Sequence, residues 1–196
     1  MLTKNPRPKK CKVATCRASF VPTKSFQTWC SPDCAVVIVR AKQATERKSI
    51  EQRERREIKV RKEKLKSRGD HMRDAQIAFN AYIRARDQAA GYPCISSGRL
   101  LDWSGNAVDA GHYRSVGAAP HLRFDERNCH AQSKQDNRFL SGNAVDYRVG
   151  LIVRIGLQAV EDLEADQSVK KYTVEELKAI TAMYRAKTRD LKGRAA

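Results

Sequence analysis

No apolar run in this chain of 196 residues is long enough to cross a membrane; the longest, from Ala35 to Val39, has five residues, against the roughly 18 that a spanning helix needs. The first ten residues carry positive charge but no apolar segment behind it, so they do not read as a signal peptide. Acidic side chains are also scarce. Asp and Glu number 22 against 39 Lys and Arg, which leaves a net charge of +17 and a pI near 9.9. A field of that sign attracts polyanions and speeds their association. Nucleic acid is therefore the expected partner, and the cytosol the expected compartment. Proline is absent between Arg40 and Arg73, where Lys, Arg, Glu and Gln dominate and Ile50, Ile58, Val60 and Leu65 are the large aliphatic residues. This segment reads as an exposed helix with a heptad pattern too poor for a coiled coil.

Cysteine is not scarce. Four of the six crowd the first 34 residues as Cys11-x4-Cys16, thirteen residues, then Cys30-x3-Cys34. A reducing compartment disfavours disulfides, and this spacing lets two thiolate pairs converge tetrahedrally on Zn2+. Four thiolates leave no open position, so such a zinc would be structural. The alternative is four buried structural cysteines. With Phe20, Phe26 and Trp29 as its main large apolar residues, the region has too small a core to hold alone.

Beyond Gly69 and Asp70, which read as an interruption, a second helical stretch is expected from Met72 to Ala89, ended by Gly91-Tyr92-Pro93. Short strands and loops are expected between Cys94 and Asn143, with one helix near Ser133 to Leu140. Two amphipathic helices follow, about Ala144 to Glu164 and Val174 to Leu191, the second opened by a Thr173/Glu176 capping box.

The densest polar constellation is Asp109-Ala-Gly-His112-Tyr, followed by Asn128-Cys-His130-Ala-Gln-Ser133-Lys-Gln-Asp136-Asn137 and then Leu140-Ser-Gly-Asn143. The order His112, Asn128, Asn137, with the last two nine positions apart, resembles the ββα-metal (HNH, or His-Me finger) nucleases. The Ala-Gly-His, Asn-x-His-x-Gln and Asn-x-x-Leu-Ser-Gly-Asn phrases are more specifically similar to the NinG family of lambdoid-phage recombination proteins. With the cysteine array and basic helix in the same order, the likeness spans nearly the whole chain.

The resemblance implies divalent-metal-dependent cleavage of branched DNA, such as Holliday junctions and D-loops. Phosphodiester hydrolysis needs an activated water and neutralisation of charge on the phosphate oxygens. His112 is the candidate general base, because a neutral imidazole can take a proton from water near pH 7. Asn137 and Asp109 are candidate ligands for Mg2+ or Mn2+, although Asp109 could simply initiate a turn. Asn128 would orient His112 from the loop, and His130 would contact phosphate or metal. Two-strand cutting suits a homodimer, and other recombination proteins are further candidate partners.

The sequence departs from many HNH proteins where they hold a second zinc between two Cys-x-x-Cys pairs. The matching positions here are Cys94, Ser97, Ser133 and Asp136, which argues against a second zinc and leaves packing and hydrogen bonds to support that region. Cys94 and Cys129 read as small buried side chains. Arg53, Arg55, Arg56, Lys59, Arg61 and Lys62 are candidate DNA-backbone contacts, the alternative being a solvated helical face. Trp103 and Tyr113 could stack on an exposed base, with core packing the simpler role for Trp103.

The expected architecture is α+β: a zinc-binding module over residues 1–39, a basic helical region over 40–90, and an HNH-like nuclease domain with C-terminal helices over 91–196. A non-catalytic zinc-containing DNA-binding adaptor and an RNA-binding regulator are the rival readings.

Overall fold

The computed structural model describes residues 7–194; residues 1–6, the start of the segment read for a signal peptide, lie outside the described residues. The chain is α+β. It divides into two compact units, one ending at Leu65 and the other beginning at Lys66.

In the first unit two short strands, β1 (Lys9–Lys10) and β2 (Ser19–Phe20), pair antiparallel. The turn between them is tight: the backbone N–H groups of Cys16 and Arg17 both donate to the Val13 carbonyl, and Arg17 takes a φ of 52°. The long helix α1 (Pro32–Lys64) starts inside the cysteine region, because the Ser31 side chain caps the N–H of Cys34 and Pro32 needs no donor at the first helical position. Helix and cysteine module are thus continuous, so the expected boundary at residue 39 falls within α1. None of the 33 residues of α1 is buried, and at 1.5 Å rise it extends for roughly 50 Å.

The second unit opens with α2 (Arg68–Ala89). Ser67 and Asp70 form a reciprocal capping box, so Gly69 and Asp70 form the first turn of a helix where the sequence suggests an interruption. The expected helix start at Met72 therefore moves back to Arg68. Strands β3 (Val108–His112) and β4 (Cys129–Ser133) pair antiparallel with Ala110 opposite Ala131 and His112 opposite Cys129. The helix expected near Ser133 to Leu140 is a single π-helical turn, Gln135–Phe139, closed by Ser141, Gly142 and Asn143, all with positive φ.

The expected helix from Ala144 to Glu164 is two helices, α3 (Ala144–Ile155) and α4 (Leu157–Ala165), because Gly156 adopts a φ of 87° between them. The last helix, α5 (Val174–Arg194), starts with the expected box: the Thr173 N–H donates to Glu176 and the Glu176 N–H to Thr173 Oγ1. Among the described residues no helix is long and apolar enough to cross a membrane.

Three buried clusters position the strands. Phe79 and Ile83 of α2, Tyr184 of α5, and Ala110 and Cys129 of the strands form one. Ala75, Tyr172 and Leu177 form a smaller neighbour, and Ile95, Leu122, Tyr147, Leu151, Val160 and Leu163 pack together under α3 and α4. Each fully buried side chain of this size is worth about 1.5–3 kcal/mol of burial. Packing is close enough that a Cβ on Gly150 would lie 1.9 Å from the Ile95 carbonyl oxygen.

At the centre of this unit the carboxylate of Asp87, wholly inaccessible, accepts hydrogen bonds from Arg86 Nε and the Ala131 backbone N–H, both at 2.7 Å. His130 Nδ1 lies 3.7 Å from it. Burial raises the Asp87 pKa, but the His130 and Arg86 contacts outweigh it and hold the group at about 2. Burial likewise pushes His130 below its usual 6.5, more than Asp87 raises it. The unfolded chain therefore takes up a proton on His130 that the folded chain resists, and stability falls as pH drops below about 6.5. Asp87 adds a second loss only below about 3.8, as pH moves toward 2. Melting curves should show a lower midpoint at pH 5 than at pH 7, with the difference shrinking in His130→Gln; an unchanged difference would remove His130 as its source.

Candidate functional site

The sequence-predicted cluster of the second unit falls into two groups, because successive side chains of a strand point to opposite faces. Asp109 and His112, three residues apart on β3, are turned to opposite sides of the strand pair. On one side Asp109 accepts from Asn137 Nδ2 at 3.1 Å and from Arg138 Nε at 2.7 Å. Burial raises the Asp109 pKa, but these two donors more than offset it and keep the carboxylate ionised below its usual range. Asp109 and Asn137 are thus brought together as expected, and their carboxylate and amide oxygens are the hard donors that Mg2+ or Mn2+ takes while keeping most of its waters. Arg138 neutralises that carboxylate in this structure.

On the other side His112 packs against Phe79, with ring centroids 5.9 Å apart. Its Nε2 lies 3.0 Å from the Arg123 carbonyl oxygen, which can only accept, so Nε2 carries the proton and Nδ1 keeps its lone pair. Burial lowers the pKa of His112 below 6.5, more than the Arg123 contact raises it, and the ring is neutral at pH 7. Its Nδ1 faces the buried Cys129 thiol at 3.6 Å.

Asn128 acts on His112 at one remove. Fully buried, it accepts from the Arg114 N–H at 2.8 Å and donates to the carbonyls of Arg114 and Leu122 at 3.0 and 3.2 Å. It thereby pins both ends of the loop that presents the Arg123 carbonyl to the imidazole.

His130 is not available to phosphate or metal. Only 4% exposed, it has Nδ1 against Arg86 at 3.0 Å and Nε2 against the Arg127 carbonyl at 3.2 Å. The role expected for it is corrected to one of support within the Asp87 network. Tyr113 is also engaged: its hydroxyl donates to Glu164, which Arg148 holds in two hydrogen bonds. It is not a free stacking surface.

The positions matched to a second zinc form a hydrogen-bonded knot. The Asp136 carboxylate accepts from Cys94 Sγ at 3.2 Å, Ser97 Oγ at 2.9 Å, Ser133 Oγ at 2.6 Å and Asn143 Nδ2 at 3.2 Å. Burial raises its pKa, but these donors outweigh it and the net shift is downward. The Leu140-Ser-Gly-Asn143 phrase serves the same knot, since Gly142 N–H donates to the Asp136 carbonyl and Gln132 Nε2 to the Gly142 carbonyl. Gly111 is required beside it, because a Cβ there would lie 2.0 Å from Gln132 Oε1.

In the first unit the sulfurs of Cys11, Cys16, Cys30 and Cys34 all lie within 4.8 Å of one another. The Cys16–Cys30 and Cys30–Cys34 separations are 3.4 and 3.7 Å, against the roughly 3.8 Å edge of a tetrahedron built on 2.3 Å Zn–S bonds. Burial raises the Cys11 thiol, but backbone N–H groups of Val13 and Cys30 bring it down to about 7. Contact with Cys16, first among several causes, pushes Cys30 up to about 12. A second thiolate is costly beside the first, and a dication removes that cost. The donor set fits Zn2+.

All six predicted DNA-contact residues of α1 are exposed. The helix carries eleven Lys and Arg against six Asp and Glu. Lys48, Gln52, Arg55, Lys59 and Lys62 succeed one another at steps of three and four, the period of one helix face, and that line includes no acid. Arg53 and Arg61 lie off this line.

Not foreseen from the sequence is a polar cleft of about 510 Å³ that reaches Asp109 and Arg138 and is lined also by Asn80, Arg84 and Gln88 of α2, Trp103, and Lys192 of α5. Trp103, expected in the core, is half-buried at this cleft. No local signal could have found it, because its walls come from segments about a hundred residues apart.

A family model described as "Bacteriophage Lambda NinG protein" matches residues 3–194 of this chain. The chain belongs to the NinG family. It is 45% identical to Protein ninG of Salmonella phage P22, with 94% of each chain covered. It is 44% identical to Protein ninG of Escherichia phage lambda and 43% identical to that of Escherichia phage 933W, each with 95% of both chains covered. No solved structure matches this NinG-family chain.

Metal analysis of the purified NinG-family chain should find one equivalent of zinc, lost in Cys30→Ser and retained in Cys94→Ser. Two equivalents, or zinc that disappears with Cys94, would reverse the assignment of the two cysteine regions.

Proposed function

We propose that this chain is a divalent-metal-dependent DNA endonuclease that cuts branched recombination intermediates, Holliday junctions and D-loops, in the cytoplasm of a phage-infected cell. The observation that carries the reading is His112. It stands at the end of β3 as a neutral imidazole whose proton is fixed on Nε2 by the Arg123 carbonyl, leaving Nδ1, which faces the Cys129 thiol at 3.6 Å in this structure, as the acceptor that a general base requires. Asn128 holds the loop that fixes this tautomer. Mg2+ or Mn2+, bound through Asp109 and Asn137, would supply charge neutralisation at the phosphate. Zn2+ held by the four N-terminal cysteines supports the fold.

Affinity comes from α1. Arg55, Lys59 and Lys62, with Arg53, Arg56 and Arg61 beside them, can follow a phosphate backbone without reading bases. Cutting two strands of a junction asks for two active sites, hence a homodimer, and other recombination proteins are its expected company.

Two observations favour a second reading. Strand alternation separates His112 from Asp109, and Arg138 already occupies the Asp109 carboxylate. A DNA-binding adaptor that retains the hairpin for support would tolerate both features.

Cleavage of a four-way junction and a matched linear duplex, with magnesium, manganese or EDTA, separates the two readings. The nuclease reading expects metal-dependent cutting of the junction, reduced about 10²- to 10⁴-fold in His112→Ala with DNA affinity retained; tight binding without cutting under every condition selects the adaptor. Replacing Arg53, Arg55 and Arg56 by Ala should flatten the dependence of log affinity on log salt by roughly one unit for each phosphate that the helix no longer neutralises. An unchanged slope would place α1 away from DNA.

A further inference from the structure

We infer that the cleft between α2, α5 and the Trp103 loop is a binding site for one unpaired nucleotide, and that it gives the chain its preference for DNA with exposed bases. The inference rests on the DNA-binding part of the proposed function and not on cleavage.

The cleft's volume, about 510 Å³, is in the range of small-ligand sites, roughly 300–1,000 Å³. Its walls are wrong for an apolar ligand and right for a nucleotide. Arg84 and Lys192 line it, and among the described residues neither has a hydrogen bond or an acidic ion-pair partner. Two cations left unpaired in one cleft are suited to phosphate.

Trp103 supplies the second, independent observation. Among the described residues no ring packs against its indole and no hydrogen bond holds its N–H, although Phe79, Phe124, Tyr82, Tyr113 and Tyr147 of the same unit all have ring partners. An unpartnered half-buried indole beside unpaired cations is the arrangement on which a base stacks while its phosphate is held. Asn106 and Gln88, which also line the cleft, offer amides to the base edge.

A paired base inside a duplex hides both its faces in the stack and cannot reach an indole recessed in a cleft. Single strands and the open bases of a branch point can. The cleft meets Asp109 and Arg138 at one wall, so a nucleotide held there would lie next to the candidate metal ligands.

The chain has two tryptophans, Trp29 and Trp103, so emission can be assigned by difference from Trp103→Phe. The experiment titrates the full chain, without added magnesium or manganese, with a ten-nucleotide oligo-dT and with a blunt hairpin duplex at equal phosphate concentration. Oligo-dT should quench the Trp103 emission and the duplex should leave it nearly unchanged. Trp103→Ala should weaken oligo-dT binding about tenfold, with Trp103→Phe recovering part of the loss and duplex affinity held constant. Arg84→Ala with Lys192→Ala should lower the salt slope for oligo-dT alone.

Equal quenching by duplex, or oligo-dT affinity unaltered in Trp103→Ala, would overturn the inference. Quenching by oligo-dT in a protein that never cuts a junction would uphold this site and defeat the nuclease reading. A nuclease whose junction preference survives Trp103→Ala would do the reverse.

Discussion

Everything in the second unit is arranged around one buried charge. Asp87 at the end of α2 carries its carboxylate into a fully enclosed position, where a lone ion would be prohibitively costly. Arg86 beside it on α2, the Ala131 N–H of β4 and the nearby His130 and Arg154 surround it. Arg86 then reaches on to the carbonyls of Glu126 and Cys129. Helix and strand therefore cannot slide past each other without stranding a charge, and the same grip fixes the approach to β4 from which Asn128 pins its loop. The position of His112 is downstream of this: its tautomer depends on the Arg123 carbonyl, that carbonyl on the loop, and the loop on Asn128.

The Asp136 knot shows a different solution to a problem that a metal often solves. A small region with few apolar side chains needs some strong, directional centre to hold its chain segments together. Where a zinc would gather four thiolates, Asp136 gathers one thiol, two hydroxyls and an amide as donors around a single carboxylate. The logic is inverted, with an anion at the centre and donors around it. The knot depends on every donor being in place, since a buried acceptor left unmatched costs about 1–3 kcal/mol. The N-terminal module has no such option. Its four sulfurs lie within 4.8 Å of one another, a set that could bind zinc.

What the sequence showed clearly were features whose cause is local. The charge run without proline reads as an exposed helix because nothing in it could be buried, and α1 has no buried residue. The Thr173 and Glu176 cap and the cysteine cluster follow from spacing, whereas the adjacency of Asp109 to Asn137, 28 positions apart, was implied by the family resemblance. Errors arose where a local cue had two meanings. Gly69 and Asp70 look like a break, yet Asp70 is the third residue of a capped helix; Gly156 sits within an apolar pattern that continues across it, yet its left-handed backbone splits α3 from α4. His130 looks chemically active from its neighbours in the motif, and only its burial beside Asp87, 43 positions earlier, shows its role. The cleft at Trp103 was illegible for the same reason at greater range.

The net charge of +17 takes on a more specific meaning once the acids are located. In the second unit carboxylates are used internally. Asp87 and Asp136 are buried, Glu126 accepts from Tyr82 and Lys187, and Glu164 accepts from Tyr113 and Arg148. Carboxylates so committed hold the fold together and, among the described residues, leave cations such as Arg84 and Lys192 without an acidic partner. In α1 Glu51 pairs with Arg55, but eleven Lys and Arg stand against six acids and all are exposed or half-exposed. The excess of positive charge is thus carried by an exposed helix in the first unit and is present at one cleft in the second. A charge stripe can set affinity and encounter rate for any nucleic acid, but it cannot tell a branch from a duplex. The discrimination proposed for this chain would need a surface that a paired base cannot reach, and the Trp103 cleft of the second unit has that recessed form.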